Sequence, residues 1–106
     1  MIGGKVVLDN EQYVVEDNTT LDTLTLSSTT LHAGQSTRGH SHADIDEVYI
    51  FIGGSGILEV EDVSMPVSMG AIALINGGDF HKVINDTDEP LVFLCVFNSL
   101  LKEREE

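Results

Sequence analysis

The stretch GQSTRGHSHADIDEVYIFIGG, residues 34–54, decides how this chain reads. His40 and His42 stand two apart, so on an extended backbone both side chains leave the same face. Glu47 lies five residues beyond His42, which is the wrong parity for one straight strand. The intervening residues 43–46 must therefore turn or bulge, and Glu47 begins a new strand facing the same interior. Tyr49 and Phe51 share parity with Glu47 and are expected to point inward with it. The run Gly53-Gly54-Ser55-Gly56 closes the stretch as a hairpin turn, since no Gly-Lys-Ser/Thr follows to make a phosphate loop.

Outward from this stretch the periodicity is that of strands. Residues 23–27 alternate cleanly, and 47–52, 57–60, 71–75, 82–84 and 91–97 are rich in β-branched and aromatic residues. Short glycine-, asparagine- and aspartate-containing loops separate them. Strands at this spacing, with no helical crossovers, predict an all-β sandwich or barrel. Only the tail, residues 99–106, is compatible with a short helix, and it is equally compatible with a frayed end. With 106 residues and no linker, repeat or low-complexity segment, the expectation is one domain over residues 1–106.

Composition removes whole classes of function. Eighteen acidic residues against five basic ones give a net charge of −13, and the five basic residues form no cluster. Nucleic-acid and polybasic membrane binding are therefore not expected. Cys95 is the single cysteine, which excludes an intrachain disulfide and a Cys-x-x-Cys site. The longest apolar run, residues 91–97, is far too short to span a bilayer as a helix. The first residues carry no signal-like apolar core, so a cytoplasmic location is the expectation.

His81 follows a glycine turn and opens another strand, which a small barrel can bring opposite His40, His42 and Glu47. Three imidazoles and a carboxylate facing an interior carry a large desolvation cost unless something satisfies them. A divalent ion does so, and this donor set suits first-row transition metals better than magnesium or calcium. On an octahedral ion two positions remain open; on tetrahedral zinc the same four donors would close the site.

The spacing Gly34-x5-His40-x-His42-x4-Glu47-x6-Gly54 resembles, position for position, the first of the two signature motifs of the cupins. Gly70-x5-Asn76-x-Gly78-x2-His81-x3-Asn85 resembles the second, with Asn76 where the family usually has proline. The two motifs and their 15-residue spacer cover residues 34–85, half of the chain. The resemblance implies a double-stranded β-helix of jelly-roll type. It also implies that His40, His42, Glu47 and His81 bind one divalent transition metal ion, such as Mn, Fe, Ni or Zn. Small cupins of this kind are commonly homodimers.

The other candidate residues carry weaker signals. Tyr49 is placed to hydrogen-bond a substrate or act as an acid. Phe51, further from the cluster, is either pocket wall or core. Cys95 is either a buried structural thiol or a pocket residue, because both faces of its strand are apolar and parity cannot choose between Phe93, Cys95 and Phe97. His32, just before Gly34, is expected to face solvent. Asp44, Asp46 and Asp79 are either partners of the site or solvated rim charges.

The functional expectation is a metal-dependent enzyme acting on a small oxygen-rich molecule, a sugar, sugar acid or hydroxy/keto acid. Lewis-acid chemistry such as isomerisation or decarboxylation would serve it. A metal-dependent dioxygenase and a non-catalytic metal- or small-ligand-binding module are the alternatives. The partner is expected to be a small-molecule ligand, with a second copy of the chain, in a homodimer, as the expected protein contact.

Overall fold

A computed structural model describes residues 2–41 and 45–99. Nine strands run in chain order: β1 (Lys5–Asp9), β2 (Tyr13–Asn18), β3 (Leu24–Leu31), β4 (Glu47–Gly53), β5 (Ser55–Val60), β6 (Val63–Ser68), β7 (Ile72–Ile75), β8 (His81–Ile84) and β9 (Leu91–Asn98). They form a six-stranded sheet, β1-β2-β3-β9-β4-β7, and a three-stranded sheet, β6-β5-β8, with every pairing antiparallel. Among the described residues there is no helix.

The strands form where the residues favour a half-buried pleated surface. On β4, Glu47, Tyr49 and Phe51 are buried while Val48, Ile50 and Ile52 are half-buried. On β9, Leu91, Phe93, Cys95 and Phe97 face inward, which settles the choice that apolar parity left open. Leu58, Val67 and Val83 of the smaller sheet join these residues in one core. That shared core makes the two sheets the two walls of one unit.

Each expected strand is present, most of them a residue or two longer. Three further strands, β1, β2 and β6, were not expected. β1 and β2 are broken by Asp9, Glu16 and Asp17, and β6 carries Pro66, so none shows a clean apolar run. Pairing with a neighbour fixes them instead. The whole of β2 lies along β3 from Tyr13↔Leu31 to Asn18↔Leu26, and β6 along β5 from Ser55↔Ser68 to Val60↔Val63. The tail beyond Ser99 lies outside the described residues, as do His42 and Asp44.

Two details of the fold position the site. The turn at Gly54 has a positive φ of 79°, and a Cβ there would collide with the Pro90 carbonyl, so this hairpin accepts only glycine without strain. The segment 36–40 adds to the free side of β8 through the bridges Ser36↔Ile84 and His40↔His81. His40 and His81 exchange both backbone hydrogen bonds, at 3.0 and 2.9 Å. The two histidines are therefore rung partners across antiparallel backbones.

Candidate metal centre

β4 delivers Glu47 at its first residue and β8 delivers His81 at its first residue, both buried. The 36–40 segment brings His40 alongside. One donor atom from each of the three lies within 4.8 Å of the others. Glu47 Oε1 stands 3.0 Å from His81 Nε2 and 3.7 Å from His40 Nε2. The His40 and His81 rings meet edge to face, with centroids 4.4 Å apart.

The tautomer of His81 makes this geometry informative. Its Nδ1 lies 2.9 Å from the carbonyl oxygen of Asp79, which can only accept. Nδ1 therefore carries a proton and donates. In a neutral ring Nε2 is then a bare lone pair, aimed at a carboxylate oxygen 3.0 Å away. Two acceptors at that distance repel, and both are buried. A positive charge between them removes the conflict: a metal ion, or a proton on the ring. Two imidazole nitrogens and a carboxylate oxygen fit a first-row divalent ion.

Glu47 is oriented from its other oxygen. The Cys95 thiol donates to Oε2 at 3.0 Å, inside the core. Cys95 sits directly opposite Tyr49 across the β4–β9 ladder. The Tyr49 ring stacks on Phe93 at 5.2 Å and presents an edge contact with His81 at 5.6 Å. These neighbours hold the cluster in one arrangement, as surrounding residues do around bound metals.

A cavity of about 210 Å3 opens beside the cluster. His40, Glu47, Tyr49 and Cys95 line it, together with Tyr13, Thr29, Thr37 and Arg38. Tyr49 and Cys95 both stand in the cavity wall. Of the two readings of Phe51, pocket wall or core, the structure shows the core: it is completely buried, packed on Phe93 at 5.3 Å, and takes no part in the cavity wall. One residue pair along β4 separates the cavity from the solid core, a depth that parity cannot encode. His32 is half-buried away from the cluster and does not join it. Asp46 accepts the Gly77 N–H at 2.8 Å, tying two loops together, while Asp79 serves the site through its backbone carbonyl.

Tyr13, Thr29, Thr37 and Arg38 were missed from sequence. Tyr13 and Thr29 belong to β2 and β3, whose inward parity was the available signal. Thr37 and Arg38 lie inside the first motif but between its spaced positions.

Paired antiparallel sheets around a buried imidazole–carboxylate cluster define a double-stranded β-helix with a candidate metal site. A sequence profile described as a cupin domain matches residues 27–97, and the chain belongs to the cupin family. A glucose-6-phosphate isomerase of Pyrococcus horikoshii is 31% identical over 100 residues, covering 82% of this chain and 53% of that protein. The chain thus spans about half the length of the curated relatives it matches. Among solved structures, a cupin-2 domain from Rhodospirillum rubrum superposes with a TM-score of 0.84 at 19% identity, over 100% of this chain and 74% of that one. A protein from Klebsiella pneumoniae with a double-stranded β-helix domain gives 0.78 at 20% identity, over 88% and 82%. These structures share the fold. No helix among the described residues is long and apolar enough to cross a membrane.

Proposed function

We propose that the chain is a metal-dependent enzyme that acts on a small oxygen-rich molecule, with isomerisation of a hydroxy-carbonyl sugar or sugar acid as the leading reaction. One observation carries the metal: the lone-pair face of His81 Nε2 confronts Glu47 Oε1 at 3.0 Å while Nδ1 is committed to Asp79. The reaction class is supported by the relatives, which bear the name glucose-6-phosphate isomerase. The cavity is smaller than the ~300–1,000 Å3 of sites for drug-sized ligands, which favours a small metabolite.

A bound first-row ion supplies Lewis acidity toward a chelated carbonyl or hydroxyl oxygen and lowers the pKa of the adjacent C–H or O–H. The chain's own residues set the rest. The Asp79 carbonyl holds the His81 ring so that Nε2 faces Glu47 Oε1 within the cluster. Cys95 fixes the Glu47 carboxylate. The Tyr49 hydroxyl can donate to a substrate oxygen, and the Phe93 ring stacked beneath it excludes water from that side.

Elemental analysis of protein purified without chelators should find about one transition metal per chain. His40→Ala is the informative variant, because His40 is only half-buried and its loss leaves the core intact. It should weaken metal affinity by at least about 100-fold. Metal-free wild-type protein that also fails to take up Mn, Fe, Ni or Zn would sink the metal assignment. Turnover is read by NMR in D2O, as solvent deuterium entering the carbon beside the carbonyl of hydroxy-carbonyl sugars. Metal uptake without exchange for any sugar or sugar acid would favour a non-catalytic binding module.

A further inference from the structure

The segment 36–40 contains one residue too many. From Ser36 to His40 the chain advances four residues, while its partner retreats three, from Ile84 to His81. The extra residue falls between Thr37, whose N–H donates to Val83 O and whose Oγ1 accepts the Val83 N–H, and His40. This is a β-bulge over Arg38 and Gly39, and Gly39 supplies the positive φ of 82° that it needs. The Phe80 ring occupies the space where a Gly39 side chain would stand. Bulges re-aim side chains, and this one brings Thr37, Arg38 and His40 all to the cavity wall, which straight alternation would not.

Among the described residues lining the cavity, Arg38 is the single fixed cation, in a chain of net charge −13. It is exposed at the rim, while Glu47 lies at the bottom, engaged with the cluster. A divalent ion at the cluster would turn the Glu47 end net positive, and Arg38 stands at the opposite, rim end of the same cavity. Guanidinium presents a planar fork that matches carboxylate and phosphate oxygens, and contacts made by an exposed guanidinium exchange at little cost.

We propose that Arg38 is an anion-recognition residue, so that the cavity selects molecules carrying a carboxylate or phosphate at the end remote from the metal cluster. This rests on the reading of the cavity as the substrate site. Anions are disfavoured by the rest of the surface, so a local cation is what would make them the preferred ligands.

The test uses the purified chain with its metal content measured first, and calorimetric titration with two probe pairs. Glycolate is compared with glycolamide, and glycerol 3-phosphate with glycerol. Wild-type protein should bind at least one anionic probe about tenfold or more tightly than its neutral counterpart. Arg38→Gln should lose that preference while keeping wild-type metal content and neutral-probe binding, and Arg38→Lys should keep part of it. Which pair shows the preference distinguishes carboxylate from phosphate. An unchanged preference in Arg38→Gln, or none in the wild type, overturns the proposal. Absent metal in the wild type would defeat the metal reading alone, since the same titrations would still measure the contribution of Arg38.

Discussion

The Cys95 thiol reaches Glu47 Oε2 at 3.0 Å, and this bond ties a residue of the last strand to the first residue of β4. Hydrogen bonds to charged groups contribute about 1.5–3 kcal/mol. Cys95→Ala should therefore lower stability by about 2 kcal/mol in urea unfolding and weaken metal binding by about tenfold or more. Cys95→Ser should recover most of both. Equal losses in the two variants would show that the volume of the sulfur matters and its proton does not. Asn85 is a second residue of this kind. It is fully buried, its Nδ2 donates to the carbonyls of Leu31, His32 and Glu89, and its Oδ1 accepts from Thr87. Asn85→Ala removes the bonds to all three carbonyls, of which His32 O keeps the Gln35 N–H and Glu89 O the Thr87 hydroxyl, and should cost about 2–4 kcal/mol in the same measurement. The second motif places Asn85 in the sequence, but its work as a clamp between β3 and the 85–90 loop is visible only in three dimensions.

Among the strands and the links between them, the bulge at Arg38–Gly39 carries the most. Gly39→Ala forces a side chain into the Phe80 ring and a non-glycine residue into positive φ, and should cost about 1–3 kcal/mol. Because His40 follows immediately, the same variant should bind metal more weakly, measured by competition with a chromogenic chelator. Wild-type affinity in a folded Gly39→Ala protein would show that the bulge does not set the His40 position. The alternation of β4 and the glycine at Gly54 were legible along the chain, because a strand's faces and a tight turn are local properties. The bulge was not, because it is defined by a count against a partner backbone. β1, β2 and β6 were missed for the same reason: their polar and proline-containing runs become strands by pairing, β1 with β2, β2 with β3 and β6 with β5.

Among the described residues, the outward side of the strands β7, β4, β9 and β3 carries no charge. The outward residues of β7, β4, β9 and β3 include Ile72, Leu74, Val48, Ile50, Leu94 and Val96, which lie on adjoining rungs. Ile72 and Leu74 are 66% and 78% exposed. Two copies of a chain at −13 can approach only where charge is sparse, and this is such a place. The expected outcome is a dimer of about twice 11.5 kDa in sedimentation at physiological salt, dissociated by Leu74→Asp. A wild-type monomer at all concentrations and salts would reject that expectation. Self-repulsion should also make thermal stability rise between about 0.01 and 0.15 M salt, as the screening length shortens from about 30 to 8 Å.

The sequence by itself determined the strand class, the turns, and the residues able to bind a metal, because periodicity, glycine and donor type are properties of neighbours along the chain. It also carried the motif spacing that identifies the family. Tertiary structure decided what those residues meet. It set the tautomer of His81 through the Asp79 carbonyl, aimed Glu47 with a thiol 48 residues away, sent Phe51 to the core and turned Arg38 to the cavity. The first of these is a contact two residues along the chain whose geometry only the folded turn sets; the others depend on partners distant in sequence, which only the closed pair of sheets supplies.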